Sequence, residues 1–205
     1  MHYIFPYDDN GNLYPHPYYG TEQALSNPPH GWNLLPAIDA TDTTAQAAYQ
    51  ACESLQPQQY IVSAGVLTPN PNWPAQQLAQ AKTTQITLLR AGYMQTLAAG
   101  FQATITAGTY TFGWQTADES NLNALQTAVA SSYLSYPVQY ADVNGNPVSI
   151  ASASDLTTIE QTAAKFMAAQ HQQVLTLIGQ VQAITTATPN YLSAVEALVW
   201  APASY

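Results

Sequence analysis

The strongest pattern in the chain lies over Ser152–Thr185. Apolar side chains fall at Leu156, Ile159, Ala163 and Phe166, then again at Val174, Leu177, Ile178, Val181 and Ile184. Steps of three and four residues mark one face of an α-helix. Ser152 suits the cap position, and Asp155 three residues on can reach back to the free amides and favour the positive end of the dipole. A helix of this span is a rod of roughly 45–50 Å. The polar run Gln170-His171-Gln172-Gln173 separates its two apolar stretches. A rod this long needs cover along its length, from other helices of the chain or from copies of it.

A second helix is predicted between Pro74, suited to a first turn, and Gly100, suited to the position just past a helix end. Leu78, Lys82, Ile86, Leu89, Tyr93 and Leu97 share one face, the lysine stem lying along it with its ammonium in water. Alternation at Phe101, Ala103 and Ile105, and at Tyr110, Phe112 and Trp114, predicts a hairpin. Thr116-Ala117-Asp118-Glu119 reads as a capping box for a helix carrying Leu122, Leu125, Val129 and Tyr133, stopped before Pro137. Val138–Tyr140 and Val148–Ile150 flank Asn144-Gly145, a second hairpin. Thr188-Pro189 opens a last short helix with Leu192, Val195, Leu198 and Trp200.

The first part of the chain is different. Aromatics alternate at Tyr3, Phe5 and Tyr7 before the turn Asp8-Asp9-Asn10-Gly11, and Leu13 and Tyr14 begin a return strand. Pro6, Pro15 and Pro17 limit these strands to edges or partial pairing. Residues 21–42, with Asn27-Pro28-Pro29, read as loop. Residues 43–56 read as a short helix, Tyr60–Leu67 as a strand, and Thr68–Trp73 as a linker. The expected fold class is α+β: short N-terminal strands and loops over residues 1–72, then a mainly helical domain over 73–205 with two long helices and two β-hairpins.

Composition sharpens this picture. Only 7% of the 205 residues are charged, against about 25% in ordinary domains. Three cations, Lys82, Arg90 and Lys165, face twelve carboxylates, for a net charge of −9. No nucleic-acid footprint exists in such a chain, and an anionic membrane surface would repel it. Polarity comes from Gln, Asn, Thr and Ser, which suits a surface set against other protein and equally an acidic milieu or a biased genome. No apolar run approaches a membrane span, and the first residues lack the basic and apolar regions of a signal peptide.

Reactive chemistry is sparse. The single cysteine, Cys52, reads as a small buried apolar residue. Asp8-x-Asn10-x-Asn12 imitates the start of a calcium loop, but Leu13 and Tyr19 stand where that loop needs Gly and Glu. His2, His16 and His30 sit in loops without a helical partner, which predicts surface or capping roles. His171 belongs either to a solvated helix face or to a polar layer between parallel copies. No nucleotide or nucleophile motif occurs, no carboxylate pair nominates an acid and a base, and neither an enzyme, a cofactor nor a metal site is expected. Tyr3, Tyr7, Tyr14, Tyr18, Tyr19 and Trp32 remain. They form either a small aromatic core under short strands or flat faces offered to a sugar or a partner protein.

Thr109-Tyr110-Thr111-Phe112 with Thr116-Ala117-Asp118-Glu119-Ser120, then Tyr140–Asn146, Ser152–Leu156 and Val195–Trp200, resemble in content and order a small domain of unknown function. That domain recurs near the C-termini of tail-fibre and tail-associated proteins of tailed bacteriophages. Tyr7–Gly11 followed by Leu34-Leu35-Pro36-Ala37 resembles a common phage tail-protein N-terminus. The resemblance implies a virion tail component at the baseplate, tail tip or fibre attachment, made in the host cytoplasm, with other tail proteins as partners and a trimer as the preferred homo-oligomer. A fibre-assembly chaperone absent from the mature particle and a host-glycan receptor module are the alternatives. It supplies no catalytic residues. The chain departs from that family in its scarcity of Lys and Arg, which members usually place on the first and long helices. On this reading Tyr7, Tyr14, Tyr18, Tyr19 and Trp32 would dock a partner, and the face Leu156, Ile159, Phe166, Val174, Leu177 and Val181 would pack against copies.

Overall fold

A computed structural model of the chain describes residues 1–20 and 31–205. The predicted loop at Asn27-Pro28-Pro29 and the role expected of His30 fall outside them. Among the described residues the architecture is α+β, with 48% helix and 21% strand. It divides into two compact units, Met1–Gln77 and Leu78–Tyr205, the division falling just inside a helix that begins at Trp73.

The first unit is built from very short strands. β1 (His2–Ile4) lies between β3 (Tyr18–Gly20) and β5 (Ile38–Asp39), antiparallel to both, while β2 (Pro6–Tyr7) pairs with β4 (Asn33–Leu34). Proline explains the short lengths. Pro6 lacks an amide hydrogen and separates β2 from β1, the turn at Asp8 ends β2 after two residues, and the expected return at Leu13 is a single bridge to Tyr7. α1 (Thr43–Glu53) starts at Asp42, whose carboxylate accepts from Ala45 N at 2.8 Å. It closes a core of Phe5, Leu13, Leu35, Ala45, Ala48, Cys52, Val62 and Leu67.

Residues 60–69 correct an expectation. Tyr60–Leu67 is not one strand but parts of two, β6 (Tyr60–Ser63) and β7 (Val66–Pro69), folded on each other through Ala64-Gly65. Both turn residues have positive φ, 49° and 78°, as a two-residue hairpin turn requires. Alanine is a poor choice for that conformation, so the turn left little trace in the sequence.

The second unit begins within α2 (Trp73–Ala99). Gly100 ends that helix at φ 80°, with its amide donating to Thr96 O and Leu97 O. The chain then enters β8 (Phe101–Ile105) and β9 (Gly108–Phe112), an antiparallel hairpin. α3 (Thr116–Ala130) follows, its box set one residue earlier than expected: Asp118 Oδ2 accepts from Gln115 N at 2.9 Å. β10 (Val138–Ala141) and β11 (Pro147–Ile150) form the second hairpin. α4 (Ala153–Ala183) is the rod, 31 residues long, or roughly 46 Å at 1.5 Å per residue. α5 (Tyr191–Glu196) is one and a half turns.

The long-helix face does not await other copies. Leu156, Ile159, Phe166, Val174, Leu177 and Val181 are all buried within this one chain. The hairpin residues Phe101, Ala103, Ile105, Phe112, Val138, Val148 and Ile150 cover its first half. Leu78 and Leu89 of α2, with Val195 of α5, cover Leu177 and Val181. Strand side chains that alternate in and out can roof a helix stripe as well as another helix can, and the periodicity of the stripe does not say which roof it receives. Burial on this scale, about 1.5–3 kcal/mol per Leu-sized side chain, holds the unit together rather than a copy to it.

Gly100→Ala tests the joint between α2 and the first hairpin. A Cβ there would stand 2.1 Å from Phe112 O, on a backbone that L-residues avoid. The substitution is expected to lower unfolding free energy by more than about 1 kcal/mol, read from urea titration.

Candidate functional site

Among the described residues, no group of three His, Cys, Asp or Glu side chains is placed to hold a metal ion, and no helix is long and apolar enough to cross a membrane. Three other features present organised chemistry: a set of rings in the first unit, a polar lock repeated in both units, and a strapped groove in the second.

The rings of the first unit form two groups. Tyr14 meets Trp32 edge to face at 4.9 Å and His16 at 5.8 Å. Tyr19 meets Tyr3 at 4.9 Å, and Tyr3 meets Tyr49 of α1 at 5.1 Å. Tyr7 packs on the core beside Phe5, and Tyr18 is half-buried in β3. The structure therefore does not gather Tyr7, Tyr14, Tyr18, Tyr19 and Trp32 into one platform. Tyr19 is the exposed member, at 50%. Cys52 is buried with its thiol 3.8 Å from Tyr14 O, and burial pushes its pKa up to about 11, so it stays a protonated, inert thiol.

The polar lock is the five-residue turn Asp-x-Asn-Gly-Asn, present as Asp8–Asn12 and again as Asp142–Asn146. The two are built alike. Asp8 Oδ1 accepts from Asn10 N at 2.9 Å and Asn12 N at 2.8 Å, and Oδ2 accepts from Asn12 Nδ2 at 2.8 Å. Asp142 accepts from Asn144 N, Asn146 N and Asn146 Nδ2 at 2.9, 2.8 and 3.0 Å. Gly11 and Gly145 carry the positive φ, 83° and 81°. Each carboxylate accepts three hydrogen bonds from its own turn and so holds that turn closed.

Asp155 makes a third lock. It is buried, and Oδ1 accepts from both the amide and the hydroxyl of Thr106 at 2.9 Å, while Oδ2 accepts from Ala151 N at 3.1 Å. Ser152 caps α4 by accepting from Asp155 N at 3.2 Å. The residue expected only to complete a cap thus also ties α4 to the turn of the first hairpin. Hydrogen bonds from Thr106 hold its carboxyl below the usual 3.8, as those from Asn12 and Asn146 do for Asp8 and Asp142. Glu160 is the opposite case. Its Oε1 is buried with no hydrogen-bond partner among the described residues, and burial raises its pKa.

The groove lies between α2 and α4, and the segment Leu198–Tyr205 lies in it. Gln170 is fully buried, and its amide takes both backbone groups of Ala203: Nε2 donates to Ala203 O at 2.7 Å, and Oε1 accepts from Ala203 N at 2.9 Å. Gln85 Nε2 donates to Leu198 O at 2.9 Å, and Trp200 Nε1 donates to Thr96 Oγ1 at 2.9 Å. Tyr205 meets Phe166 edge to face at 5.1 Å and accepts from Gln102 N at 2.9 Å. Gly92 lets the indole of Trp200 settle against the helix, since a Cβ would come 2.6 Å from its ring. Lys82 does not stop at the solvent either: Nζ donates to Gln182 O at 2.8 Å in the last turn of α4, which has no basic residue of its own.

Gln170, Gln85 and Thr96 were not among the expected site residues. The signal for Gln170 was present. It stands four residues after Phe166 and four before Val174, on the apolar stripe itself, where a polar residue needs a buried partner. Its neighbour His171 is exposed, with its ring 6.5 Å from Tyr93, so the Gln-His-Gln-Gln run does not form a layer between copies through Gln170.

No protein-family model, curated protein or solved structure matches the chain.

Two outcomes test this description. Gly179 lies within α4 with open space around its Cα, so Gly179→Ala is expected to stabilise by about 0.5–1 kcal/mol. Gly92→Ala, the same change in α2, should fail to stabilise and should expose Trp200 to a fluorescence quencher. The second outcome concerns acid. A carboxyl whose folded pKa lies below its unfolded value stabilises above the unfolded value, and that stability is lost as pH falls through the folded one. Asp8, Asp142 and Asp155 are all of this kind, so stability should fall below about pH 4. Asp155→Asn should cost stability at pH 7 and flatten the acid limb of the curve. Glu160 runs the other way, and Glu160→Gln should stabilise at pH 7 with no gain once the wild-type carboxyl is protonated.

Proposed function

We propose that this chain is a structural component of a bacteriophage tail, at the baseplate, tail tip or fibre attachment, and that it acts by packing against neighbouring subunits. The observation that carries the reading is an apolar corner in the second unit of a chain almost without ions. Tyr133 is 84% exposed just past α3, and Leu134 follows it. Beside them runs a groove of roughly 540 Å³ lined by Leu125, Ala128, Leu134, Tyr140 and Pro147. Large exposed apolar side chains set around a hollow are the makings of a protein interface. With only 7% of its residues charged, few charges would have to be desolvated on contact.

The order of motifs from Thr109 to Trp200 supports the same reading through its resemblance to phage tail proteins. Contact between copies runs through this corner and not through the long-helix face, which the chain covers itself. Threefold association is the arrangement the resemblance implies. The glycan-receptor alternative has less support, because Tyr14 and Trp32 spend ring surface on each other and Tyr3 covers one side of Tyr19.

Mass analysis of purified tail particles is the test. The chain should be present in fixed proportion to the other tail proteins, and a Tyr133→Asp, Leu134→Asp variant with unchanged circular dichroism should be excluded from them. Particles complete without the chain would overturn the structural role in favour of a departing assembly helper.

A further inference from the structure

Asn-Gly occurs twice in the chain, at Asn10-Gly11 and at Asn144-Gly145. Each pair sits in the same kind of turn, closed by the same hydrogen bonds. Such a pair is chemically fragile. The backbone nitrogen that follows an asparagine can attack its side-chain carbonyl, and glycine puts no Cβ in the way. Asn27, Asn70 and Asn146 are spared this reaction, because each precedes a proline, whose nitrogen has no hydrogen to lose.

The two turns differ in their surroundings. Gly11 is buried, and a Cβ there would stand 2.2 Å from Val62 O. Val62 N donates to Gly11 O at 2.9 Å, Asn12 bridges to Ile61, and Asp9 Oδ1 accepts from Asn33 Nδ2 at 3.1 Å. Asn144, Gly145 and Asn146 are all exposed, and a Cβ at Gly145 would meet nothing within 4 Å. One backbone bond ties this turn to β9, from Val143 N to Thr111 O at 2.9 Å, and it lies ahead of Asn144. Before either glycine nitrogen can react it must release an aspartate carbonyl: Gly11 N donates to Asp8 O and Gly145 N to Asp142 O, both at 2.9 Å. Opening the second turn at its glycine breaks bonds within the turn. Opening the first also breaks its seam with β6.

We propose that Asn144 is a site of spontaneous deamidation in the folded protein, and that Asn10 in the twin turn is protected. Gly145 N gives up its proton and bonds to Asn144 Cγ. The Cγ–Nδ2 bond breaks, and the side-chain nitrogen leaves as ammonia, carrying the proton that Gly145 gave up. Water then adds across one of the two C–N bonds of the cyclic imide. One opening yields aspartate. The other yields isoaspartate, in which the main chain runs through the former side chain. Either product loosens the turn. The Asn144 side-chain amide helps to stabilise the Asp142 carboxylate, and conversion replaces it with a second carboxylate that repels the first. Isoaspartate also lengthens the main chain by a carbon, which moves Asn146 N off its seat 2.8 Å from Asp142 Oδ1. Gly145 and Pro147 line the groove beside Leu134 and Tyr140, so the groove changes shape with the turn, whatever it binds.

The test holds the full chain, folded, at mildly alkaline pH and follows both sites by peptide mass mapping, with fragmentation that tells isoaspartate from aspartate. Trypsin separates them, since cleavage at Lys82, Arg90 and Lys165 leaves Asn10 within residues 1–82 and Asn144 within residues 91–165. Asn144 should convert at least about tenfold faster than Asn10, the ratio that ~1.4 kcal/mol of extra opening free energy produces. In urea at the same pH the two rates should converge. Asn144→Ser should abolish the mass change in residues 91–165, which excludes Asn121 and Asn123 as its source. Equal rates in the folded chain, or an Asn144 that stays intact while the urea-unfolded chain converts, would overturn the proposal. Hydrogen exchange reads the consequence. The Asn146 amide should exchange faster in the converted chain, and unchanged exchange there would overturn the loosening of the turn.

Discussion

One apolar stripe must be kept dry along a single helix of 31 residues, and the second unit is arranged around that demand. No single neighbour covers it alone. The two hairpins and the foot of α3 roof Leu156 to Phe166, and α2 with α5 roofs Leu177 and Val181. Between them the stripe turns polar for one residue, at Gln170, and there the roof is a bare peptide. A covering that changes from strand to peptide to helix along one rod needs strong joints. They are made by Asp155 on the hairpin turn, by Gly100 at the corner of α2, and by Lys82 on the last turn of α4.

The joints share a physical device. A chain with few cations cannot stitch itself with ion pairs, so its carboxylates are spent on backbone amides instead. Asp8, Asp142 and Asp155 each accept several hydrogen bonds, and all three have lowered pKa values for that reason. Charge-assisted bonds to fixed amides are strong, local and free of the entropy cost of long cationic side chains. The same Asp-x-Asn-Gly-Asn turn stands in both units, once between β2 and Leu13 and once between β10 and β11. It is a self-contained solution that any hairpin can use.

The proposed role in a tail rests on surfaces. The polar and apolar groups placed with most care hold the molecule's own parts: a carboxylate on a turn, an amide on a strap. What is left over is apolar and outward, at Tyr133 and Leu134 and at the hollow beside them. A protein that invests its few charges in rigidity and leaves its grease at one corner is suited to being a fixed part of something larger.

The sequence by itself determined the elements whose causes are local. α4 from its cap at Ser152, α2 up to Gly100, the turn at Asn10-Gly11, the hairpin around Asn144-Gly145 and the α+β class all follow from periodicity, capping and turn chemistry within a few residues. The hairpin at Ala64-Gly65 escaped because an alanine occupies a conformation that the tertiary setting imposes. Which surface covers the long stripe was decided only in three dimensions. A stripe of Leu156, Ile159 and Phe166 is equally content under a strand, a helix or a second copy, because burial has no direction. Gln170 alone broke that symmetry. Its partner Ala203 is 33 residues away in sequence, and no local rule connects an amide on a helix to one particular peptide bond beyond it.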